Sequence, residues 1–223
     1  MQVTSDRRQA THDDRFPGRH FSWWPAGRLR DVIEGAGFDV GAFVDDGEEW
    51  LDVEATRARM LPDTVSAGMR VLIVGLNPSL LSADTGVGFA RPGNRFWPAA
   101  LASGLVTRTH DPVHALRAHA VGMTNLVRRA SKSADELTRA EYVEGTQRLD
   151  RLVRWLRPES VCFVGLTGFR SAIDKRATIG WQPEGFAGAP TYVMPNTSGL
   201  NAHAKPADFV EHFRAVLGAT AGS

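Results

Sequence analysis

The chain has a single cysteine, Cys162, in 223 residues, which excludes an intramolecular disulfide framework. It lies inside the apolar run SVCFVGL (160–166) and reads as a small core hydrophobe. No apolar run approaches the ~18 residues that a membrane span needs, so no membrane partner is expected. The opening MQVTSDRRQATHDDR is too polar for a secretory signal, and the expected address is a reducing cytoplasm. A net charge of either sign is also lacking, with 26 Lys+Arg against 25 Asp+Glu. The charge is unevenly spread, however: residues 31–64 hold ten acidic and two basic side chains. The remainder is therefore basic, as suits a body that meets a polyanion. There is no Walker-type sequence, no His-Glu-x-x-His and no paired cysteine ligands. His110 and His114 have helical spacing, but Pro112 lies between them, and they read as surface residues. No metal and no cofactor is expected.

Three segments stand out in the rest of the chain. Residues 1–18 read as a disordered tail. Residues 19–62 form a small acidic unit, in which PAGRLRDVIEGAGF has helical spacing and closes on Gly35 and Gly37. FDVGAFV and EEWLDVEATR then alternate around DDGE, as a hairpin does. The stretch FSWWPAGRLRDVIEGAGFDV…EEWLDVEATRAR resembles the C-terminal end of class I methyltransferases. The cofactor-binding strands of such an enzyme are absent, so no methyl transfer is implied. This α+β appendage is expected either to cap the main sheet or to dock a protein partner.

Residues 63–223 alternate strand and helix. RVLIVGL (70–76), SVCFVGL (160–166) and PTYVMP (190–195) are short runs of the kind buried on both faces of a parallel sheet. Between and after them lie helical stretches: NRFWPAALASG, RAEYVEGTQRLDRLVRWLRP and PADFVEHFRAVLG. In the second, Tyr142, Leu149, Leu152, Val153 and Leu156 make an apolar stripe with arginines expected on the opposite side. The pattern is that of a three-layer αβα fold with a mostly parallel central sheet. Ligands bind such sheets at the carboxyl ends of the strands. The loops GLNPS and MPNTSGLN should therefore lie side by side.

Asn77 follows the first of these strands, and Pro78 holds it out of the helical region. Its amide can accept from water and donate to a ligand, or it can simply cap a turn. GLNPSLLSADTGVGFARPGNRFW together with GMTNLVRRAS and MPNTSGLN, over residues 68–217, resembles the mismatch-specific uracil and thymine DNA glycosylases. That branch of the uracil-DNA glycosylase superfamily shows Gly-Ile-Asn-Pro-Gly, a Gly-x-x-Phe loop, Asn-Arg-Phe-Trp and Asn-Pro-Ser-Gly-Leu. The resemblance implies a uracil-DNA glycosylase-like fold and a monofunctional enzyme. Such an enzyme would excise uracil, or thymine or another damaged pyrimidine, from mismatched double-stranded DNA in base excision repair.

By the same resemblance Asn77 is catalytic, holding the water that attacks C1′. Phe89 stacks on the flipped base, a contact worth ~1–3 kcal/mol. Asn125 reads the pyrimidine edge, with Leu76 and Ser79 completing the base-binding pocket. Ser198, Gly199, Leu200, Asn201 and His203 form the wedge and backbone contacts, Leu200 entering the stack where the base has left. Arg128, Arg129, Lys132 and Lys205 are candidates for neutralising phosphates. Asn94, Arg95, Phe96 and Trp97 are read as structural, Asn94 as a helix cap and the aromatics as loop anchors.

Three departures from the branch pattern matter. Ser79 replaces a glycine, Thr197 replaces the wedge-loop proline, and no aspartate stands where classical uracil glycosylases activate water. Asp84 is nearby and reads as solvated. An asparagine-only site implies slow chemistry that relies on a good leaving group. The competing readings are a glycosylase for another base, such as hypoxanthine or ethenocytosine, a non-catalytic damage-binding protein, and a small-molecule nucleotide hydrolase. A monomer is expected.

Overall fold

The computed structural model describes residues 2–4, 24–45, 50–201 and 204–220. It divides into two compact units, Met1–Ala58 and Arg59–Ser223. In the first, helix α1 (Ala26–Gly35) is followed by the antiparallel pair β2 (Phe38–Asp45) and β3 (Trp50–Arg57). Leu29, Ile33 and Leu51 form its core. A short strand β1 (Gln2–Thr4) pairs antiparallel with β3. It falls inside the segment expected to be a tail, whose other residues lie outside the described ones. Its three residues are too few to carry a readable alternation.

The second unit is built on five strands in the order β5-β4-β6-β8-β7. These are β4 (Val71–Gly75), β5 (Val121–Asn125), β6 (Ser160–Val164), β7 (Gly180–Phe186) and β8 (Ala189–Met194). All neighbours run parallel except β7, which pairs antiparallel with β8 at the edge. The strand period of two distributes β4 between two cores. Val71 and Ile73 face one with Phe96, Trp97, Phe209 and Phe213, while Leu72 and Val74 face the other with Leu149, Leu152 and Phe169. Helices α3 (Phe96–Ser103), α4 (Pro112–His119) and α7 (Pro206–Thr220) supply the first layer, and α5 (Arg139–Leu156) and α6 (Leu166–Ala172) the second. The three-layer αβα fold is thus present.

Two details correct the sequence reading. The loops after β4 and β8 are not direct neighbours, because β6 lies between their strands; both nevertheless line one cavity. Arg148 of α5 is not on the solvent side. It is 4 % exposed, and its ion pair with Asp63, at 2.7 Å, is what lets a guanidinium lie inside.

Candidate active site

The parallel ladder continues past the ends of β4 and β5. Leu126 N donates to Gly75 O at 2.9 Å, Val127 N to Leu76 O at 2.8 Å, and Ser131 N to Pro78 O at 3.2 Å. The two loops are therefore zipped together, and Asn77 is clamped between them. Its Nδ2 donates to Ser131 Oγ at 2.8 Å and, more weakly, to Arg129 O and Pro78 O, both at 3.3 Å. Ser131 Oγ passes its own proton to Ser133 O at 2.6 Å. Carbonyls only accept, so the nitrogen of the amide must face them. That leaves Asn77 Oδ1 with no hydrogen-bond partner among the described residues.

A cavity of about 390 Å³ opens over these strand ends, lined among others by Asn77, Phe89, Asn125, Asn196, Ser198 and Leu200. Gly75 forms its floor. A Cβ there would fall 2.6 Å from Asn125 Oδ1 and 3.5 Å from the Phe89 ring, so only glycine leaves the space open. Asn125 is buried, yet its side-chain amide has no hydrogen-bond partner among the described residues. Its amide atoms are accessible from the cavity rather than sealed in the interior, so they can bond a group that enters it. Behind it, Arg148 Nη2 donates to the Asn125 carbonyl at 3.2 Å and to Thr124 Oγ1 at 3.1 Å, and Thr124 Oγ1 donates to Asp63 at 2.6 Å.

Phe89 is carried at a left-handed φ of 57°, a conformation a phenylalanine adopts only when its surroundings compel it. Its ring stacks on the fully buried Phe96 at 4.1 Å and 10°. The indole of Trp97 donates to Gly88 O at 2.8 Å and ties the same loop down. The first residues of α3 thus fix the aromatic wall of the cavity.

The opposite wall is the loop after β8. Ser198 N donates to Asn196 Oδ1 at 2.9 Å, Leu200 N to Ser198 Oγ at 3.3 Å, and Asn201 Nδ2 to Asn196 O at 2.8 Å. This self-bonded turn presents Leu200 at 88 % exposure. Leaving a leucine out of an apolar environment forgoes about 1.5–3 kcal/mol, which suits a side chain whose environment is a partner. Thr197, where the resemblance leads one to expect proline, is wholly buried and its hydroxyl is unpartnered.

The other predicted residues are engaged in ways the sequence does not show. Ser79 lines the cavity, but its hydroxyl is engaged as the N-cap of α2 (Leu80–Thr85), accepting from Ser82 N at 3.2 Å. Leu76 lines the cavity with its branched end turned onto Gly168. Asp84 is not a lone solvated acid: both its oxygens accept from Arg59, at 2.6 and 2.9 Å, and this bond holds its pKa below the usual carboxylate range. Arg129 is taken up by Glu141, whose pKa it draws down to about 2 with help from the Thr138 amide and hydroxyl. Arg128 reaches toward Met60 Sδ at 3.0 Å. Lys132 and Lys205 are exposed, the former at the cavity mouth. His203 lies outside the described residues.

The sequence does not single out Arg91 and Asn196, and it marks Arg95 as structural without showing what it holds. Arg91 and Asn196 line the cavity. Arg95 donates to three carbonyls of the Leu200 loop. The only local signal for it was its place between Asn94, which accepts from Phe96 N at 2.9 Å, and the aromatic pair.

A rigid amide oxygen, an unpartnered amide facing the cavity and an aromatic wall around one space can hold a planar heterocycle and a water beside it. A solution NMR structure of a Methanosarcina acetivorans protein, assigned as a uracil DNA glycosylase, has a similar fold. The TM-score is 0.50 at 19% sequence identity over 71% of this chain and 98% of that one. Residues 62–218, which include every cavity residue named above, match the family model described as the Uracil DNA glycosylase superfamily, and the chain belongs to that family.

Proposed function

We propose that this DNA glycosylase is monofunctional and excises uracil flipped out of mismatched duplex DNA, with thymine as a weaker substrate. The observation that carries the reading is the pair of asparagines in one cavity, Asn77 with an unpartnered oxygen and Asn125 with an unpartnered amide. Asn125 can donate to uracil O4 and accept from N3–H, an edge that thymine shares. Phe89 covers the base face, and Leu200 fills the gap left in the stack. Asn77 Oδ1 accepts a hydrogen bond from water and aims its oxygen at C1′. The water oxygen bonds to C1′ as the C1′–N1 bond breaks, and N1 leaves with the electron pair. That charge spreads to O2 and O4, and the proton of the attacking water passes to solvent. Removing the acceptor costs alignment of the water, about 10²-fold in rate.

A purine lesion is the second reading, since a cavity of about 390 Å³ has room for either kind of base. Both are tested on duplexes carrying G·U, A·U, G·T and G·hypoxanthine, with alkali revealing abasic sites. G·U should be cleaved fastest, and Asn77→Ala should lose about 10²-fold in single-turnover rate with binding retained. Cleavage of hypoxanthine alone would replace uracil as the substrate. Mismatch binding without cleavage of any duplex would make the chain a damage-binding protein.

A further inference from the structure

The loop that presents Leu200 has a fastening out of proportion to its length. Arg95, the residue just before α3, reaches it with one guanidinium: Nη1 donates to Ala204 O at 2.7 Å, and Nη2 to Ser198 O at 2.6 Å and Asn201 O at 2.7 Å. Its own backbone N–H donates to Thr197 O at 2.9 Å. The guanidinium carbon lies 4.8 Å from the centre of the Phe209 ring, a cation–π contact that seats the fork against α7. The acceptors bracket Leu200 on both sides. A second restraint comes from Gly199, whose added Cβ would stand 2.8 Å from Gly93 O.

A side chain that must enter a base stack gains nothing from the protein before it does so. Any entropy lost in ordering its loop at that moment is subtracted from binding. A rigid five-donor fork that holds three carbonyls at once removes that cost in advance, and a lysine could not span them. The same turn of chain carries Phe96, on which Phe89 stacks, and Trp97, which holds Gly88. Base stacking and wedge insertion therefore share one anchor.

We propose that Arg95 is the positioning residue of the wedge: it preorganises Leu200 for insertion and so sets how well the enzyme opens a paired base. This rests on the glycosylase reading above. The test compares Arg95→Met, Arg95→Lys and Leu200→Ala with the parent chain. Substrates carry uracil opposite guanine, or uracil opposite an abasic position, where no base pair has to be broken. Hydrogen exchange is measured at the amides of residues 198–201 and of 75–77.

Arg95→Met should lose about tenfold or more in kcat/KM on G·U, as Leu200→Ala does, and clearly less on the unpaired uracil. Arg95→Lys should recover only part of the loss. The double variant should fall no further than either single one, because both act through one element. Exchange should quicken at 198–201 and stay unchanged at 75–77. Equal losses on both substrates, additive losses in the double variant, or unchanged exchange at 198–201 would overturn the proposal. If Arg95→Met does not fold, Gly199→Ala, which displaces the loop from Gly93 without touching the interior, must likewise lose more on G·U than on the unpaired uracil; an equal loss on both substrates overturns the proposal. Absence of excision by the parent chain would refute the glycosylase reading and leave the exchange experiment to decide the role of Arg95.

Discussion

At the scale of single residues, the cavity is notable for which ionisable groups its walls contain. Among the described residues that line it there is no carboxylate and no imidazole; the charged ones are Arg91 and Lys132. The nearest acid in sequence to Asn77, Asp84, is bound bidentately by Arg59 and is not free to take a proton from water. Asn77 itself does not titrate. The single-turnover rate on G·U should therefore be flat between about pH 6 and about pH 8, without the bell that an acid and a base would impose. A rate that rises tenfold per pH unit across that range would mean that a general base has been missed. Asn77, Phe89 and Leu200 could be read from the sequence because each sits in a short motif whose neighbours specify its surroundings. Ser79 lies at the cavity as the resemblance implies, but its engagement as a helix N-cap shows only once Ser82 N is found within bonding distance. Arg95 is legible as structural, but not as the fastening of the Leu200 loop, because its acceptors lie more than a hundred positions along the chain.

At the scale of elements, α5 shows what periodicity can and cannot reveal. Its N-terminus is closed by a capping box that the periodicity does not reveal: Thr138 Oγ1 accepts from Glu141 N while Glu141 accepts from Thr138 N. Its apolar stripe was legible, since Leu149, Leu152, Val153 and Leu156 are all buried. Arg148 was placed on the wrong side because a stripe shows where apolar residues point and says nothing about a buried partner from another segment. That partner is Asp63, with side chains only 5 % and 6 % exposed at Arg148 and Asp63. The pair holds the end of β5 through Thr124 and the Asn125 carbonyl. Arg148→Met leaves the buried Asp63 carboxylate without its counter-charge, held only by the Thr124 hydroxyl, and should cost about 3–5 kcal/mol. Replacing both members, Asp63→Leu with Arg148→Met, should restore most of that stability in denaturant titrations. Equal instability of the single and double variants would show that the pair is not what stabilises this corner. The strands β5 and β7 were also missed. VGMTN reads as a loop motif, and β7 has Gly and Pro within it, which is tolerated at a sheet edge.

At the scale of the whole molecule, charge separates along the boundary between the two units. Residues 1–58 hold twelve acidic and seven basic side chains, a net of −5, and residues 59–223 therefore carry +6 against the overall +1. DNA is the partner of this family, and a polyanion feels that difference. At low ionic strength, where the Debye length reaches about 30 Å, a phosphate backbone registers the chain mainly by its net charge, and the acidic unit offsets much of the charge of the basic one. At contact the local side chains dominate, and salt shortens the range to about 8 Å at physiological ionic strength. Removal of residues 1–58 should therefore raise affinity for undamaged duplex at low ionic strength and speed association. The gain should shrink towards nothing at about 0.15 M salt, while discrimination between G·U and G·C, which belongs to the cavity and the wedge, stays as it was. Fluorescence anisotropy with the full chain and with residues 59–223, across a salt series, measures both effects. A salt-independent gain would mean that the acidic unit covers the DNA-binding surface by contact, and a loss of affinity would mean that it supplies contacts of its own.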